Sequence, residues 1–449
     1  MLHRAAPLAP RTLDLGLFGA AHAARRIARA ARALGVHVHV LPSPRPTTHT
    51  ARGADGGVTA VYADAWTDPL VLAPLAARCD VVTAVAEHVP AATLAAAAAF
   101  ASVRPAPTLL GVAQDRAREK AWLDVRAGHA APWRVARSAA ELGEAVAALL
   151  AVDDPGAPAA CMLKPLVRHP DGAPPLRVDD PAAALAAWHA LGGRDVLVER
   201  ALAIDTELTV LVARTPGGAL AVHPVAMNHR EGGTLAWSVL PAPVPAPIAR
   251  KAQRLAAFYA TRLAVEGLLA VELFVLRDGR LVVNELVPCP HPAFDASDAA
   301  CETDQYEQLV RAVCDLPLGP PDLVAPAASV PLRAAPFAGV LADAHRAAAG
   351  VGDDRPAAHP GLALVAEETP ASHPVGDLPG TRVTWHHPPP APGEPLPPGD
   401  MVVGHLTATG ETAEDAVARA RHAVALLGHA RERSPLVAPA GAGARAPAR

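Results

Sequence analysis

Residues 267–319 read GLLAVELFVLRDGRLVVNELVPCPHPAFDASDAACETDQYEQLVRAVCDLPLG, and the first half of this stretch decides the fold. Two apolar runs rich in Val and Leu flank Asp278-Gly279, a pair favoured in two-residue turns, which predicts a β-hairpin. Across such a turn the numbers of facing residues have a constant sum. Arg277 is therefore expected opposite Arg280, and Glu272 opposite Glu285. Directly opposed carboxylates lie roughly 5 Å apart at Cβ and repel each other. A divalent cation between them removes that repulsion, and hard oxygen ligands suit Mg2+ (or Mn2+) held together with nucleotide phosphates. The alternative is a pair of solvated glutamates on an edge hairpin.

The same residues resemble a known family. Residues 267–272, 284–295 and 304–319 are similar to a GVLAVE-like strand, a NELAPRPHNSGH segment and a helix like SQFEQHLRAVLGLPLG. These belong to the N5-carboxyaminoimidazole ribonucleotide synthetases, ATP-dependent carboxylating enzymes of the ATP-grasp superfamily. Further similarity lies in CDVVTAVAEHVP at 79–90, QDRAREK at 114–120 and VERALAIDTELTVLVAR at 198–214, so the resemblance runs from about 15 to 427. It implies a mixed α/β and α+β fold: an N-terminal Rossmann-like (pre-ATP-grasp) domain, a central ATP-grasp domain and a small β-rich C-terminal domain.

Local patterns give the boundaries. An apolar strand at 13–19, a helical run at 20–34 and a second strand at 36–41 open a doubly wound α/β domain over 1–107. Residues 108–321 mix helices with strands at 161–165, 196–199 and 208–213. Prolines cluster at 385–400 around short apolar runs, so 322–430 reads as a small strand-rich domain closed by a helix at 412–427. The Pro/Ala/Gly-rich tail 431–449 reads as disordered.

Composition narrows the classes. A net charge of −4 leaves no basic footprint for nucleic acid. Five cysteines without CxxC spacing fit reduced thiols in a cytoplasmic protein, and no run is long and apolar enough for a membrane span. There are only three lysines (Lys120, Lys164, Lys251) and two asparagines (Asn228, Asn284), which makes those residues informative. Four of the five fall at positions where the similar family has Lys or Asn.

Lys164 is the only polar member of CMLKPL, a strand that tolerates an ammonium only where something negative meets it; phosphate oxygens suit it. The resemblance places ATP at Lys164, Arg116, the segment Glu199-Arg200-Ala201-Leu202, Glu207, His229, Asn284 and Glu285. Glu199 onward would line the adenine pocket and Glu207 would accept from ribose hydroxyls. His229 aligns only with one gap, and strand alternation would turn Asn284 away from Glu285. Lys120 reads as a surface or helix-end charge. Catalysis and metal binding fall to Lys164, Glu272 and Glu285.

The acceptor side departs from the family. Its GGGQLG loop is GAAHAA at 19–24, its GYDGRGQ loop is HPDGAPP at 169–175, RPHN is CPHP at 289–292, and GRKMGH is GDMVVGH at 399–405. Several groups that would hold a ribonucleotide phosphate are lost, leaving Glu87 and His291 as acceptor-binding candidates. Three readings stay open. The family's reaction joins ATP, bicarbonate and aminoimidazole ribonucleotide in a homodimer. The others are a paralogue with a different acceptor and a nucleotide-binding pseudoenzyme.

Overall fold

The architecture comes from a computed structural model. It describes residues 12–433 except 20, 42–49, 53–57, 62–68, 127–128, 153–155, 169–174, 335–377 and 387–400. The first sheet runs Thr50–Arg52, Val58–Val61, His37–Leu41, Asp14–Phe18, Val81–Ala84, Ser102–Val103. It is parallel except at its Thr50–Arg52 edge. Alternation along DLGLF sends Leu15 and Leu17 to the face covered by helices Ala21–Ala33 and Gln305–Val313. Phe18 packs on the other face with Leu72, Leu75 and Leu94 of helices Pro69–Ala76 and Ala91–Ala97. Covering both faces is what a parallel sheet requires.

The second sheet is antiparallel, in the order Trp133–Ala136, Val196–Arg200, Cys161–Pro165, Leu176–Val178. Helices Ala139–Leu150 and Pro181–Ala190 cover it through Leu142, Val146, Leu149 and Ala184. Their starts are fixed locally: the Ser138 Oγ accepts from the Glu141 N–H, and Asp180 accepts from those of Ala182 and Ala183 with Pro181 as the first helical residue.

Among the described residues the third sheet has nine strands. Its main path is Leu281–Val287, Gly267–Leu276, Ile204–Arg214, Ala226–Glu231, Thr234–Leu240, Ala327–Arg333, Val402–Thr409, Thr381–Trp385. Helix Ala246–Arg262 seals one face with Tyr259, Ala252 and Ala256 against Leu208, Val210, Leu269 and Val271. The strands beyond 322 therefore extend the central sheet: Ser329 pairs with Ser238 and continues the ladder. Helix Ala413–Arg433 packs on this extension and runs into the first residues of the expected disordered tail; 434–449 lie outside the described residues. Among the described residues no helix is long and apolar enough to cross a membrane.

Candidate active site

The hairpin forms with a different turn from the expected one. The Leu276 N–H donates to the Arg280 carbonyl at 2.9 Å and the Gly279 N–H to the Leu276 carbonyl at 2.8 Å, enclosing the three-residue loop 277–279. Gly279 takes φ +81°, the left-handed position such loops need, so Arg277 does not face Arg280. The register is then one residue off the constant sum until Asn284, where a bulge restores it: Leu273 faces Val283, yet Glu272 faces Glu285. The bulge also explains Asn284, which simple alternation would turn away. Its Nδ2 donates to Glu272 at 2.9 Å and its Oδ1 accepts from Lys164 at 3.1 Å.

The carboxylate pair does not stand unrelieved. Glu272 is held by His291 Nε2 at 2.9 Å and Arg230 at 3.4 Å. His291 Nδ1 accepts from the Ala293 N–H at 3.2 Å, so Nε2 carries the proton it gives to Glu272. Burial alone would raise the Glu272 pKa, but that hydrogen bond and the neighbouring charges hold it well below the usual range. Glu285 meets Arg168 at 2.5 Å; burial pushes its pKa up, and Arg168, Arg116 and Lys164 together hold it below the usual range. Protein cations thus answer the repulsion, and the pairing by itself does not require a metal.

Beside the hairpin, the second sheet presents Glu199, Lys164 and, from helix Arg116–Arg126, Lys120. Glu199 is ion-paired with Lys120 at 2.7 Å and with Lys164. Its burial is overridden by the two ammonium groups, which hold its pKa at about 2. Lys120, 2% exposed, also donates to the Asn284 carbonyl at 2.8 Å. The expectation of a surface charge at Lys120 is corrected: its helix lies across the hairpin, whose bulged carbonyl needs a donor.

Arg168 is the centre of the other half. Its guanidinium lies 3.3 Å from both Glu119 oxygens and 3.3 Å from Glu87. Its Nε donates to the Ala113 carbonyl at 2.8 Å. Glu119 accepts from the Leu286 N–H at 2.6 Å. Burial pushes the Glu119 pKa up to about 7 against the pull of Arg168 and Lys120. Burial and the Glu87 charge push the Cys289 thiol pKa up and the Arg168 charge opposes them; this is the position where the similar family has an arginine. Positive charge lost from one motif thus reaches the same neighbourhood from another strand end.

Lys164, Glu199, Asn284, Glu272, His291, Glu285 and Glu87 therefore join one polar network, and Glu207 enters it through Arg230 at 2.7 Å. Arg116 adds its charge at Glu285, and its Nη1 is buried without a hydrogen-bond partner among the described residues. His229 does not join. Alternation sends it to the opposite face, where it stacks on Trp237 at 4.9 Å, and Arg230 takes the inward position. Arg200 points its side chain at the Pro158 and Ala160 carbonyls, while the N–H groups of Arg200 and Ala201 donate to Pro132 and Ala160. Those donors are not offered to a nucleobase; Leu202 packs near Leu276 and Val282. Sequence reasoning missed Glu119, Arg168 and Arg230. The acid in QDRAREK and the arginine following Lys164 were the available signals. The loop with Asp171 and Gly172, and Gly399 and Asp400, lie outside the described residues.

A parallel nucleotide-type sheet, an antiparallel lid-like sheet and a carboxylate hairpin with a strand lysine define an ATP-grasp ligase. The ATP-grasp domain family matches residues 125–306, and the ribonucleotide synthetase preATP-grasp domain matches 13–114. The N5-carboxyaminoimidazole ribonucleotide synthase of Brucella melitensis is 32% identical over 308 residues, 69% of this chain and 82% of that protein. That of Bacillus subtilis is 31% identical over 318 residues, 71% of this chain and 80% of that protein. A solved N5-carboxyaminoimidazole ribonucleotide synthetase in complex with ADP superposes with a TM-score of 0.75 at 25% identity, covering 94% of this chain and 98% of that one. The chain belongs to the N5-carboxyaminoimidazole ribonucleotide synthase family.

Proposed function

We infer that the chain uses ATP and bicarbonate to carboxylate 5-aminoimidazole ribonucleotide, giving N5-carboxyaminoimidazole ribonucleotide by way of carboxyphosphate. The observation that carries this reading is the division of charge in the site. Lys120 and Lys164 share one carboxylate, Glu199, while Arg168 faces three, Glu285, Glu119 and Glu87. The first group has positive charge to give to phosphate oxygens; the second is short of it.

Lys164 lies between Glu199 and Asn284, so its ammonium is aimed before substrate arrives. Its charge would stabilise the phosphoryl group in transfer from ATP to bicarbonate. Glu207, on the same face of the third sheet as Glu272, would accept from the ribose hydroxyls. Glu272 and Glu285 would hold a divalent ion, Mg2+ or Mn2+. Both are ionised hard-oxygen donors on one face, which fits such an ion. When bound, it neutralises charge on the phosphates. Arg168 must then share or leave Glu285. Glu87, Arg168 and the Glu272-anchored His291 are the groups we assign to the ribonucleotide.

We also propose the division 1–107, 108–321 and 322–430, a homodimer and a cytoplasmic location, on the family resemblance. Phosphate release with ATP, bicarbonate and millimolar aminoimidazole ribonucleotide tests the function, with Glu285→Gln as blank. Stimulation by the ribonucleotide above that blank is expected. Turnover indifferent to it would favour another acceptor, and nucleotide binding without turnover a pseudoenzyme.

A further inference from the structure

At the other end of the N-terminal sheet, away from Glu87, three ligating side chains meet. His37 and His39 alternate along strand His37–Leu41, so both imidazoles share one face. In the parallel register Asp14 faces His37 and Gly16 faces His39. Gly16 carries no side chain, and the His39 ring reaches across to Asp14. Its Nε2 lies 2.8 Å from Asp14 Oδ1, and His37 Nδ1 lies 2.8 Å from that same oxygen. The two nitrogens converge on one oxygen rather than dividing between the two. All three donor atoms lie within 4.8 Å of one another.

The surroundings suit a ligand set. Asp14 is fixed at its backbone: its N–H donates to Asp80 Oδ2 at 2.9 Å and its carbonyl accepts from the Asp80 N–H at 2.8 Å. His39 is 2% exposed, so its ring has little freedom to leave the position that faces Asp14. His37 and Asp14 have side chains 30% exposed, leaving a route from solvent. A second cluster, Asp295, His386 and His405, has the geometry but not the charge: the Arg26 guanidinium is 3.3 Å from His405 and 3.8 Å from Asp295, where it would repel a cation.

We propose that Asp14, His37 and His39 form a binding site for a divalent transition metal, with Zn2+ the fitting ion. Two imidazole nitrogens and one carboxylate make a borderline donor set that suits Zn2+ and disfavours Mg2+, and three protein ligands leave a position for water. The ion would tie two central strands of the sheet together at their N-terminal ends. Glu87 lies beyond the C-terminal end of Val81–Ala84, so this site is separate from the chemistry.

Calorimetric titration of Zn2+ into the chelator-treated full chain, with excess Mg2+ present, tests the proposal. One Zn2+ per chain is expected, together with a rise in Tm. His37→Ala, at a half-exposed position, should weaken binding by more than about a hundredfold, beyond the 10–100-fold cost of losing an outer-shell partner. It should abolish the Tm rise while leaving circular dichroism and Mg-ATP turnover unchanged. Asp14→Asn should weaken binding in the same direction. No Zn2+ uptake by the wild type, or equal affinity in His37→Ala, would overturn the assignment, the latter by placing the ion elsewhere.

Discussion

Around Glu199 two ammonium groups surround one buried carboxylate; around Arg168 one guanidinium serves three carboxylates. The two clusters touch through the Asn284 bulge, yet the pKa values of Glu199 and Glu119 move oppositely. Glu199 is held at about 2 and Glu119 is driven up to about 7. Both glutamates are buried, so desolvation does not separate them. The ratio of cations to carboxylates does. The first cluster is complete for folding and carries surplus positive charge for a phosphate. The second is incomplete, and its deficit is what a divalent ion or a proton would fill.

The strongest way to break this comparison is to remove charge where the deficit matters for chemistry. Glu285→Gln should lower ribonucleotide-stimulated phosphate release by about a thousandfold, the upper range for losing one preorganised electrostatic group. A loss under tenfold would mean that Glu285 serves only to hold Arg168. Removing charge from the complete cluster should show up in stability as well as in phosphoryl transfer. Lys164→Ala leaves Glu199 with Lys120 alone and should cost about 3 kcal/mol, the low end for breaking a buried pair, in urea unfolding at pH 7. Sign matters here: Glu199, with its pKa lowered, stabilises above about 4.5 and loses that contribution as pH falls toward 2. The deficit of Lys164→Ala should therefore shrink in acid.

Glu119 should behave in the reverse sense. Its raised pKa means that its stabilising contribution is complete below about 4.5 and is lost as pH rises through about 7. Glu119→Gln should flatten the wild type's decline in that window, a difference of about 3 kcal/mol. Identical pH profiles would show that Arg168 keeps Glu119 ionised after all. Mg-ATP at a hundred times its dissociation constant should add about 2.7 kcal/mol to the wild type, read as a rise in Tm. The same addition should give no rise in Glu285→Gln.

How much of this was legible in the sequence follows from the range of each interaction. The hairpin and its facing glutamates came from apolar alternation and Asp278-Gly279, both local signals. The pairing held for a reason the sequence did not show, because a three-residue loop and a bulge at Asn284 cancel. Lys120 was misread because helix patterning places charges outward, whereas this helix crosses the sheet and buries both Glu119 and Lys120. His229 faces away from the network because strand alternation from buried Asn228 favours Arg230. Arg168 escaped because its partners come from positions 87, 119 and 285. No window of sequence brings those together.

That last residue gives the finest test of the comparison. The motif reading finds an arginine missing at Cys289, while the structure sets Arg168 against Glu87 and Glu285, and Glu87 and Arg168 both act electrostatically on the Cys289 thiol. If Arg168 stands in for it, Arg168→Gln should raise the KM for the ribonucleotide about tenfold, the low end for one charge-assisted contact. kcat should change less, because the contact is made equally before and during the reaction. Cys289→Arg in that background should recover most of the loss by returning one guanidinium to the same neighbourhood. Cys289→Arg alone should not improve the wild type, since position 289 is buried and a second long side chain would overpack it while Arg168 is in place. A single variant whose KM is unmoved would instead make Arg168 a counter-ion for folding. The ribonucleotide phosphate would then have to be held by residues outside this network.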